Sequence, residues 1–236
     1  MNDLIVIYHK DCLLKNNGIN HPERKERLDT ILKSIKEIKN LNIEFKESSL
    51  AELSDISLVH PQEYITNIFL KIPSKGLVSV EEEPYADTFL CPFTKNAILR
   101  SCGAGINAAD FLFKKNKKRI FCAVRPPGHH AETIRANGFC FINNIAVTAR
   151  YIQSKYEINK IAIIDFDVHH GNGTQDIFYE NENVLFISTH QYPYYPGTGS
   201  EQERGKFNNI FNIPLPAGIS SEEYLNVFDR VLKKLE

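Results

Sequence analysis

The hydrophobic pattern of the chain switches repeatedly between two periods. Short apolar runs without internal alternation predict strands that are buried on both faces, and segments with a 3.6-residue apolar repeat predict amphipathic helices. The segments that read as strands are LIVIYH (4–9), RIFCAV (119–124), KIAIIDF (160–166), VLFIST (184–189) and NIFNIPL (209–215). Strands of this kind, separated by helices, predict an α/β fold with a parallel sheet that is covered on both faces.

The predicted helices lie between and after these strands. They span 21–38, 61–72, 94–113, 143–156, 174–179 and 220–236. One face of the first helix is apolar and consists of Leu28, Ile31, Leu32, Ile35 and Ile38. The small residues 103–105 allow close packing of the third helix, and Ser220 and Glu223 form a capping box at the start of the last. The polar segment 76–92 contains two prolines and is predicted to be a loop.

The composition narrows the class of protein. A chain of 236 residues that is 42% hydrophobic can bury one core of ordinary size, which predicts a single domain over 1–236. The net charge of -1 argues against direct nucleic-acid binding and against an anionic membrane surface. The basic run KKNKK (114–118) is interpreted as a solvated helix end, and no apolar run is long enough to span a bilayer. The sequence leaves the oligomeric state open.

The cysteines indicate a reducing compartment. There are five of them, an odd number, and none forms a C-x-x-C pair. A disulfide framework and a structural thiolate zinc site are therefore both unlikely interpretations, and free thiols are expected. Because the N-terminus also lacks the pattern of a signal peptide, we expect a cytoplasmic protein.

A polar cluster follows the predicted strand 160–166. Residues two apart share a side in an extended segment, so Asp165, Asp167 and His169 can project together, with His170 opposed. Ligands of open parallel sheets bind beyond the carboxyl ends of the strands. Carboxylates and imidazoles are good ligands for zinc or another first-row divalent ion, so the cluster predicts a metal site. The alternative is a helix cap followed by surface histidines.

A second histidine cluster, VRPPGHHAE (124–132), follows another predicted strand of the same sheet. The paired prolines stiffen the loop that carries His129 and His130. A neutral imidazole beside a metal-activated water can accept a proton and return it to a leaving amine. Two surface histidines in a loop are the alternative interpretation, and the presence of the first cluster weakens it.

Two further loops contain aromatic residues. In GFCFINN (138–144), Phe139 and Phe141 are compatible with a core, but a glycine beside an aromatic ring can also line a narrow apolar channel. The loop YPYYPGTG (192–199) follows the predicted strand 184–189. Taken alone, it reads equally well as a packed structural loop and as part of a site.

Together these motifs resemble the histone deacetylase superfamily, which includes bacterial acetylpolyamine amidohydrolases and acetoin-utilisation proteins. The matching segments occur in the order HPERKERL, VHPQEYI, RPPGHHA, GFCFINN, DFDVHHGNGTQ, STHQYPYYPGTG and NIPLP. The resemblance implies a three-layer arginase-like α/β fold with a central parallel sheet. It also implies a catalytic zinc and hydrolysis of N-acetyl amides, with an acetylated lysine of a protein or a small acetylated amine as the substrate.

The resemblance also assigns roles to the residues of the two histidine clusters. It makes Asp167 and His169 zinc ligands, and it places His129 and His130 at the reacting water, with His130 as the general base and acid. Asp165 would orient His129. The remaining orienting contact, to His130, is assigned to Asn172.

The resemblance further implies a substrate channel and a second ion. Phe139 and Tyr195 would form the channel walls, the Gly138 carbonyl would face the substrate, and Asp87 would grip the substrate backbone at the rim. A monovalent cation, usually potassium, would be bound behind the zinc by backbone carbonyls and by Asp165, Ser188 and Thr189.

Two parts of the family pattern lie beyond the last residue. The family continues with a strand that carries a further aspartate ligand, in the motif GFDxHxxDP, and with a GGY loop whose tyrosine polarises the substrate carbonyl. We therefore expect an incomplete deacetylase domain that lacks its C-terminal part. A catalytic zinc normally has three protein ligands, and because only two are identified here, poor activity of the chain alone is expected.

Two alternatives compete with a deacetylase. The segment IIDFDVH is also similar to the D-x-D start of haloacid-dehalogenase-like phosphatases, but that class leaves RPPGHHA unexplained. The second alternative is a degenerate, non-catalytic deacetylase fold that binds acyl-lysine or acts as an interaction module. The two missing motifs favour it, and the retained histidines and aspartates argue against it.

Overall fold

The computed structural model describes residues 4–81, 86–114 and 119–235. The chain divides into two compact units, Met1–Glu157 and Ile158–Glu236. The elements of the first unit are β1 (Leu4–Tyr8), α1 (Asp11–Leu14), α2 (Lys25–Lys36), β2 (Ile43–Glu47), α3 (Leu53–Ile56), α4 (Gln62–Leu70), β3 (Val78–Ser79), β4 (Phe89–Leu90), α5 (Thr94–Lys114), β5 (Ile120–Ala123) and α6 (Asn144–Tyr156). Those of the second are β6 (Ile161–Asp165), α7 (Asn172–Phe178), β7 (Val184–Gln191), β8 (Ile210–Leu215) and α8 (Ser221–Leu235).

A parallel sheet in the order β2-β1-β5 organises the first unit. The central strand β1 is buried, with Val6 and Ile7 fully inaccessible, as its continuous apolar run predicts. Strand β2 was missed by the sequence analysis. Its residues are half-buried or exposed, and charged side chains interrupt its apolar positions, so it carries no continuous apolar signal.

Helices α5 and α6 form the largest apolar cluster of the first unit, together with α3 and α4. The small residues predicted to allow close packing do so: a Cβ on Gly105 would lie 1.9 Å from the Thr148 hydroxyl of α6. The predicted apolar face of α2 is too broad. Leu28 and Leu32 are buried, but Ile31 is exposed because the sheet covers only a narrow stripe of the helix. Ile38 is exposed as well and lies beyond the end of the helix.

The segment predicted to be a polar loop contains a short antiparallel ladder. Val78 pairs with Leu90 and Ser79 with Phe89, so β3 and β4 form a short antiparallel pair within the segment. The prediction of a loop is therefore wrong at residues 78–79 and 89–90. Two-residue strands give no periodic signal, which explains the difference. Residues 82–85 of this segment, and residues 115–118 of the basic run, lie outside the described residues.

The second unit contains a parallel sheet in the order β6-β7-β8. The middle strand, β7, is buried through most of its length, and helix α8 packs against β7 and β8 through Val231 and its neighbours. The predicted capping box is confirmed: the Ser220 hydroxyl accepts from the Glu223 backbone N–H at 3.2 Å, and the Glu223 carboxylate accepts from the Ser220 N–H at 2.9 Å.

The five predicted strands and six predicted helices are confirmed, with shifts of a few residues at their ends. All five cysteines are free thiols; four are buried, and Cys122 is half-buried. Burial raises the pKa of Cys12 to about 11 and that of Cys122 to about 12. Among the described residues, no helix combines the length and the apolar character needed to cross a bilayer.

Helix α5 contacts the chain segment that follows β2 at Gly103, and this contact predicts how a substitution of Gly103 changes stability. A Cβ there would lie 2.0 Å from the Ser49 backbone oxygen, which cannot move independently of its chain. Helix propensity alone predicts that Gly103→Ala stabilises α5 by ~1 kcal/mol. We expect the opposite, a loss of ~1–3 kcal/mol, because the added methyl overpacks the contact.

Urea denaturation followed by circular dichroism measures this effect. Asn96→Ala, at an exposed position of the same helix, is the matched control and should leave stability nearly unchanged. A Gly103→Ala protein that is more stable than the wild type would contradict the packing argument.

Candidate functional site

Asp167 and His169 follow β6 directly and contact each other. The Asp167 Oδ1 atom accepts from the His169 backbone N–H at 2.8 Å and lies 3.1 Å from His169 Nδ1. Two donor atoms bound to one tetrahedral zinc at ~2.0–2.1 Å lie ~3.3 Å apart. The pair therefore fits two neighbouring positions around one metal ion. Within the described ranges, no group of three or more His, Cys, Asp or Glu residues could hold a metal, so the candidate donor set has two members.

Asp165, the last residue of β6, supports this turn and faces β7. Its Oδ1 atom accepts from the Asp167 backbone N–H at 3.1 Å, and it lies opposite Ser188 in the sheet register. Of the three residues predicted to bind a monovalent cation, Asp165 and Ser188 are thus neighbours. Thr189 faces the other side of β7, where its hydroxyl lies 2.9 Å from the Tyr224 hydroxyl, so only its backbone carbonyl could join them.

His170 and His190 have no role predicted from the sequence, yet both are almost fully buried and their ring centroids are 4.7 Å apart. Burial, reinforced by the proximity of His190, lowers the pKa of His170 to about 4. Burial also lowers the pKa of His190. The two imidazoles are therefore neutral near pH 7. The alternation of Ser188 and His190 in β7 is the only sequence signal that could have indicated this inward-facing histidine.

The aromatic loop, residues 192–199, contacts the His169 ring. Tyr194 stacks on the imidazole with centroids 5.2 Å apart and an interplanar angle of 15°. Tyr195, the predicted channel residue, meets the same ring edge-on at 5.9 Å. Both tyrosines are partly exposed to solvent. The loop therefore contacts His169, a predicted metal ligand, through two aromatic rings.

In the first unit, the loop after β5 carries His129 and His130. Their ring centroids are 4.0 Å apart, and His130 is buried. Gly138 lies against the His130 ring with a φ of +54°, and a Cβ there would lie 2.3 Å from the imidazole Cδ2. Both the backbone angle and this close approach require glycine at the position. Gly138 thus places no side chain beside the His130 ring, and its carbonyl accepts from the Cys140 thiol at 3.3 Å.

Phe139 and Asp87 are linked through one hydroxyl. The Thr88 Oγ1 atom accepts from the Phe139 backbone N–H at 3.0 Å and donates to Asp87 Oδ1 at 2.9 Å. The Phe139 ring packs edge-on against His21 at 4.6 Å and stays half-exposed, whereas Phe141 is fully buried. The structure thus separates the two aromatic residues of GFCFINN into one that is partly exposed and one in the core.

Two residues of the VHPQEYI motif hold the segment that carries Gly138, and the sequence analysis assigned them no role. The buried His60 ring lies 3.0 Å from the Thr133 carbonyl through Nδ1, and it accepts from the Asn143 backbone N–H at 2.9 Å through Nε2. The Tyr64 hydroxyl donates to the Phe141 carbonyl at 2.7 Å. The tautomer of His60 is thereby fixed, with the proton on Nδ1.

A buried ion cluster anchors the loop of the histidine pair. Arg125 donates to both carboxylate oxygens of Glu23, one of them at 2.8 Å, and to the carbonyls of Cys12 and Lys15 at 2.7 and 3.1 Å. The Lys15 ammonium lies 3.5 Å from the same carboxylate and donates to Asn17. The sequence analysis missed this cluster, because Glu23 and Arg125 belong to motifs that are 102 residues apart.

The cluster shifts the pKa values of Lys15 and Glu23. Burial lowers the pKa of Lys15 from its ordinary value of 10.5 to about 8, although Glu23 opposes the shift. For Glu23, burial alone would raise the pKa, but the hydrogen bonds from Arg125 and the charge of Lys15 outweigh it and lower the pKa. Glu23 therefore stays ionised, while Lys15 loses its proton at a lower pH in the folded state than in the unfolded state.

The Lys15 shift predicts a pH-dependent stability. Between about pH 8 and 10.5 the unfolded chain binds more protons than the folded chain, so stability should rise with pH across this window. At about 1.4 kcal/mol per pKa unit, the rise is at most about 3 kcal/mol. Lys15→Met should remove it, because the variant has no ammonium to deprotonate.

Urea denaturation from about pH 7 to about pH 10 tests this prediction. The exposed Lys25→Met is the matched control and should retain the rise. A stability difference between wild type and Lys15→Met that stays constant across the window would show that Lys15 does not titrate abnormally.

The candidate residues are divided between the two units. His129, His130, Gly138, Phe139 and Asp87 belong to the first unit, and Asp165, Asp167, His169, Asn172, Ser188, Thr189 and Tyr195 to the second. Asn172 begins α7, is buried and donates its backbone N–H to the His170 carbonyl at 2.9 Å. The expected contacts of Asp165 with His129, and of Asn172 with His130, join residues of different units and stay predictions.

Comparison with known proteins identifies the family of these motifs. Residues 21–236 match the family described as Histone deacetylase domain. A protein of Archaeoglobus fulgidus named "Probable deacetylase" is 36% identical over 236 residues, which cover 97% of this chain and 63% of the relative. "Histone deacetylase 10, chloroplastic" of Oryza sativa subsp. japonica is 35% identical over 98% of this chain and 56% of its own length.

The fold agrees with a solved structure. "Crystal Structure of HDA15 HD domain" superposes with a TM-score of 0.89 at 29% identity, over 98% of this chain and 68% of that chain. The expected deacetylase-type α/β fold is thereby confirmed. The chain spans less than two thirds of the length of the two curated relatives described above.

Proposed function

The chain belongs to the histone deacetylase family, and from this premise we propose that it provides most of a zinc-dependent site that hydrolyses N-acetyl amides. The observation that carries the proposal is the Asp167–His169 pair, whose oxygen and nitrogen donors lie 3.1 Å apart after β6. A carboxylate and an imidazole at this spacing suit zinc, although another divalent ion would find the same donors acceptable.

Zinc, when bound, would supply a Lewis acid that polarises the substrate carbonyl and acidifies water. The histidine pair would move the proton. His130 would accept it from the attacking water and return it to the amine nitrogen as the C–N bond breaks, which yields acetate and a free amine. The Gly138 backbone lies so close to the His130 ring that no side chain fits between them. His129, 4.0 Å away, would hydrogen-bond the same water.

Orientation of the two imidazoles is part of the proposal. Asp165 would orient His129, and Asn172 would orient His130, each by accepting or donating a hydrogen bond at the ring nitrogen away from the substrate. Potassium would be the second ion, held by Asp165, Ser188 and the carbonyl of Thr189. The adjacency of Asp165 and Ser188 in the sheet register supports this assignment.

The proposed substrate is an acetylated lysine of a protein or a small acetylated amine such as an acetylpolyamine. Phe139 and Tyr195 would enclose its aliphatic chain, and the Gly138 carbonyl would accept from the amide N–H. Asp87 would bind a backbone N–H at the rim, and its link to Phe139 through Thr88 supports a shared role. The free thiols fit a reducing compartment, and we propose the cytoplasm.

The proposal includes weak activity for the 236 residues alone. Two donors leave a zinc site underfilled, and the family's oxyanion-stabilising tyrosine is not among the residues with assigned roles. Loss of one oxyanion donor typically costs ~10²–10³-fold in rate. The alternative function, a non-catalytic acyl-lysine binding module, would need the channel residues but neither zinc nor His130.

A fluorogenic acetyl-lysine assay distinguishes these functions. We expect little or no turnover by the chain alone, and chelator-sensitive turnover by a version extended through the family's further aspartate and tyrosine motifs. His130→Ala in the extended version should abolish turnover, and an acetylpolyamine assayed in parallel identifies the preferred substrate. An extended protein that binds acetyl-lysine without hydrolysing it would support the binding module and contradict the enzyme.

Zinc binding to the chain itself is a second test that needs no turnover. Competition with a chromogenic chelator should detect a weak site in the wild-type chain. Asp167→Asn or His169→Gln should weaken it at least ~10–100-fold, the cost typical of losing only an outer partner of a metal ligand. Asp176→Asn, an exposed carboxylate of the same unit, is the control. Equal affinity in all four proteins would remove Asp167 and His169 from the site.

A further inference from the structure

The buried pair His170 and His190 has no role in the proposed reaction, yet it lies at the end of the aromatic loop opposite the two tyrosines. His170 Nδ1 is 2.8 Å from the Thr198 hydroxyl, and His190 Nε2 is 2.9 Å from the Gly199 carbonyl. Both partners belong to residues 192–199. The loop is therefore in contact with His169 through its tyrosines and with two further histidines through its final residues.

The direction of each hydrogen bond at His170 follows from Gln175. The Gln175 amide nitrogen donates to the Glu203 carboxylate at 2.6 Å, so its oxygen is the atom 3.1 Å from His170 Nε2. An oxygen can only accept, which places the His170 proton on Nε2. An imidazole whose proton is on Nε2 has a lone pair on Nδ1, and the Thr198 hydroxyl, 2.8 Å away, is placed to donate to it.

The same reasoning fixes His190. The Gly199 carbonyl can only accept, so His190 carries its proton on Nε2. Its Nδ1 atom, 2.9 Å from the Ser188 hydroxyl, then accepts from that hydroxyl. Each histidine thus uses both ring nitrogens: one binds a residue of the loop, and the other binds Gln175 of α7 in the case of His170 and Ser188 of the same strand, β7, in the case of His190.

Gly199 and Glu203 complete the attachment. A Cβ on Gly199 would lie 2.4 Å from His190 Nε2 and 2.6 Å from His170 Cγ, and its φ is +94°, so only glycine fits between the rings. The Glu203 carboxylate accepts from the backbone N–H groups of Gly199 and Ser200 at 3.0 and 2.9 Å. The end of the loop is thereby held by four hydrogen bonds, to His170, His190 and one carboxylate oxygen of Glu203.

We propose that His170 and His190 are positioning residues that clamp the end of the aromatic loop and thereby hold Tyr194 and Tyr195 against the His169 ring. The inference rests on the proposed function for the meaning of His169 as a ligand and of Tyr195 as a channel wall. The clamp itself rests on the hydrogen bonds alone. Core histidines that merely fill space would not depend on the Thr198 hydroxyl, which belongs to an exposed residue.

Nitrogen-15 NMR of the imidazoles tests the clamp in the unmodified chain. Near neutral pH, we expect two histidines in the Nε2–H tautomer with an unprotonated, hydrogen-bonded Nδ1, assigned by the loss of each signal in His170→Gln and His190→Gln. A Nδ1–H tautomer at either ring would overturn the proposal, because the Thr198 and Gly199 contacts could not then exist as described.

A fluorescent reporter tests the consequence for the loop. The chain contains no tryptophan, so Tyr194→Trp introduces a single emitter at the position stacked on His169. In this background Thr198→Val removes only the donor to His170, and Thr198→Ser restores it. We expect Thr198→Val to raise acrylamide quenching at least about twofold, because the loop opens locally, and Thr198→Ser to return it.

Tyr224→Phe is the matched control, since it removes a hydroxyl from the other side of β7 in the same unit. Unchanged quenching in Thr198→Val, or an equal rise in Tyr224→Phe, would overturn the clamp. Neither measurement requires catalysis or metal. An extended protein without deacetylase activity would therefore refute the proposed function while leaving the clamp intact. An active extended protein in which Thr198→Val leaves quenching unchanged would refute the clamp while leaving the proposed function intact.

Discussion

The buried pairing of Arg125 with Glu23 is the interaction on which the placement of the His129–His130 loop in the first unit depends. A guanidinium and a carboxylate taken out of water cost several kcal/mol each unless every donor is satisfied. Here the guanidinium donates to both carboxylate oxygens and to two backbone carbonyls. Because the arginine opens the RPPGHH loop and the glutamate belongs to HPER, the pairing fixes where the histidine pair can lie relative to the start of α2.

The second unit also buries polar side chains, but the side chains at the centre of its hydrogen-bond network are uncharged. His170 and His190 are neutral, and their donors and acceptors are matched one to one with Gln175, Thr198, Ser188 and Gly199. Only Glu203, at the edge of this network, is ionised. The Glu203 carboxylate accepts hydrogen bonds from Gly199, Ser200 and Gln175. These hydrogen bonds outweigh the effect of burial and lower the pKa of Glu203. A neutral network adds no positive charge beside Asp165 and Ser188, the residue pair proposed to bind a cation.

In each unit, the backbone passes so close to an imidazole that only glycine fits there. Each unit also contains a buried polar group that fixes an imidazole. Gly138 lies against His130 in the first unit, and Gly199 lies against His170 and His190 in the second. Close backbone contact limits the rotation of a ring without adding a charge or a competing donor. This device suits a deacetylase-family site, where imidazole orientation decides which nitrogen is available for proton transfer.

The local periodicity of the chain was enough to predict the α/β class, five strands and six helices. These features depend on residues within a few positions of one another, and their signal is therefore present in the sequence. The two-residue ladder of β3 and β4, the half-buried strand β2 and the exposure of Ile31 escaped prediction, because each depends on what covers the segment.

Tertiary structure alone decided the pairings across the chain. Arg125 finds Glu23 102 residues away, His60 binds the Asn143 N–H 83 residues away, and His170 reaches Thr198 28 residues away. A buried polar group forms a hydrogen bond with whichever partner the packing of strands and helices brings within ~3 Å. Sequence spacing carries no information about that distance. The sequence by itself therefore determined which residues could do chemistry, and the fold decided which neighbours hold them in place.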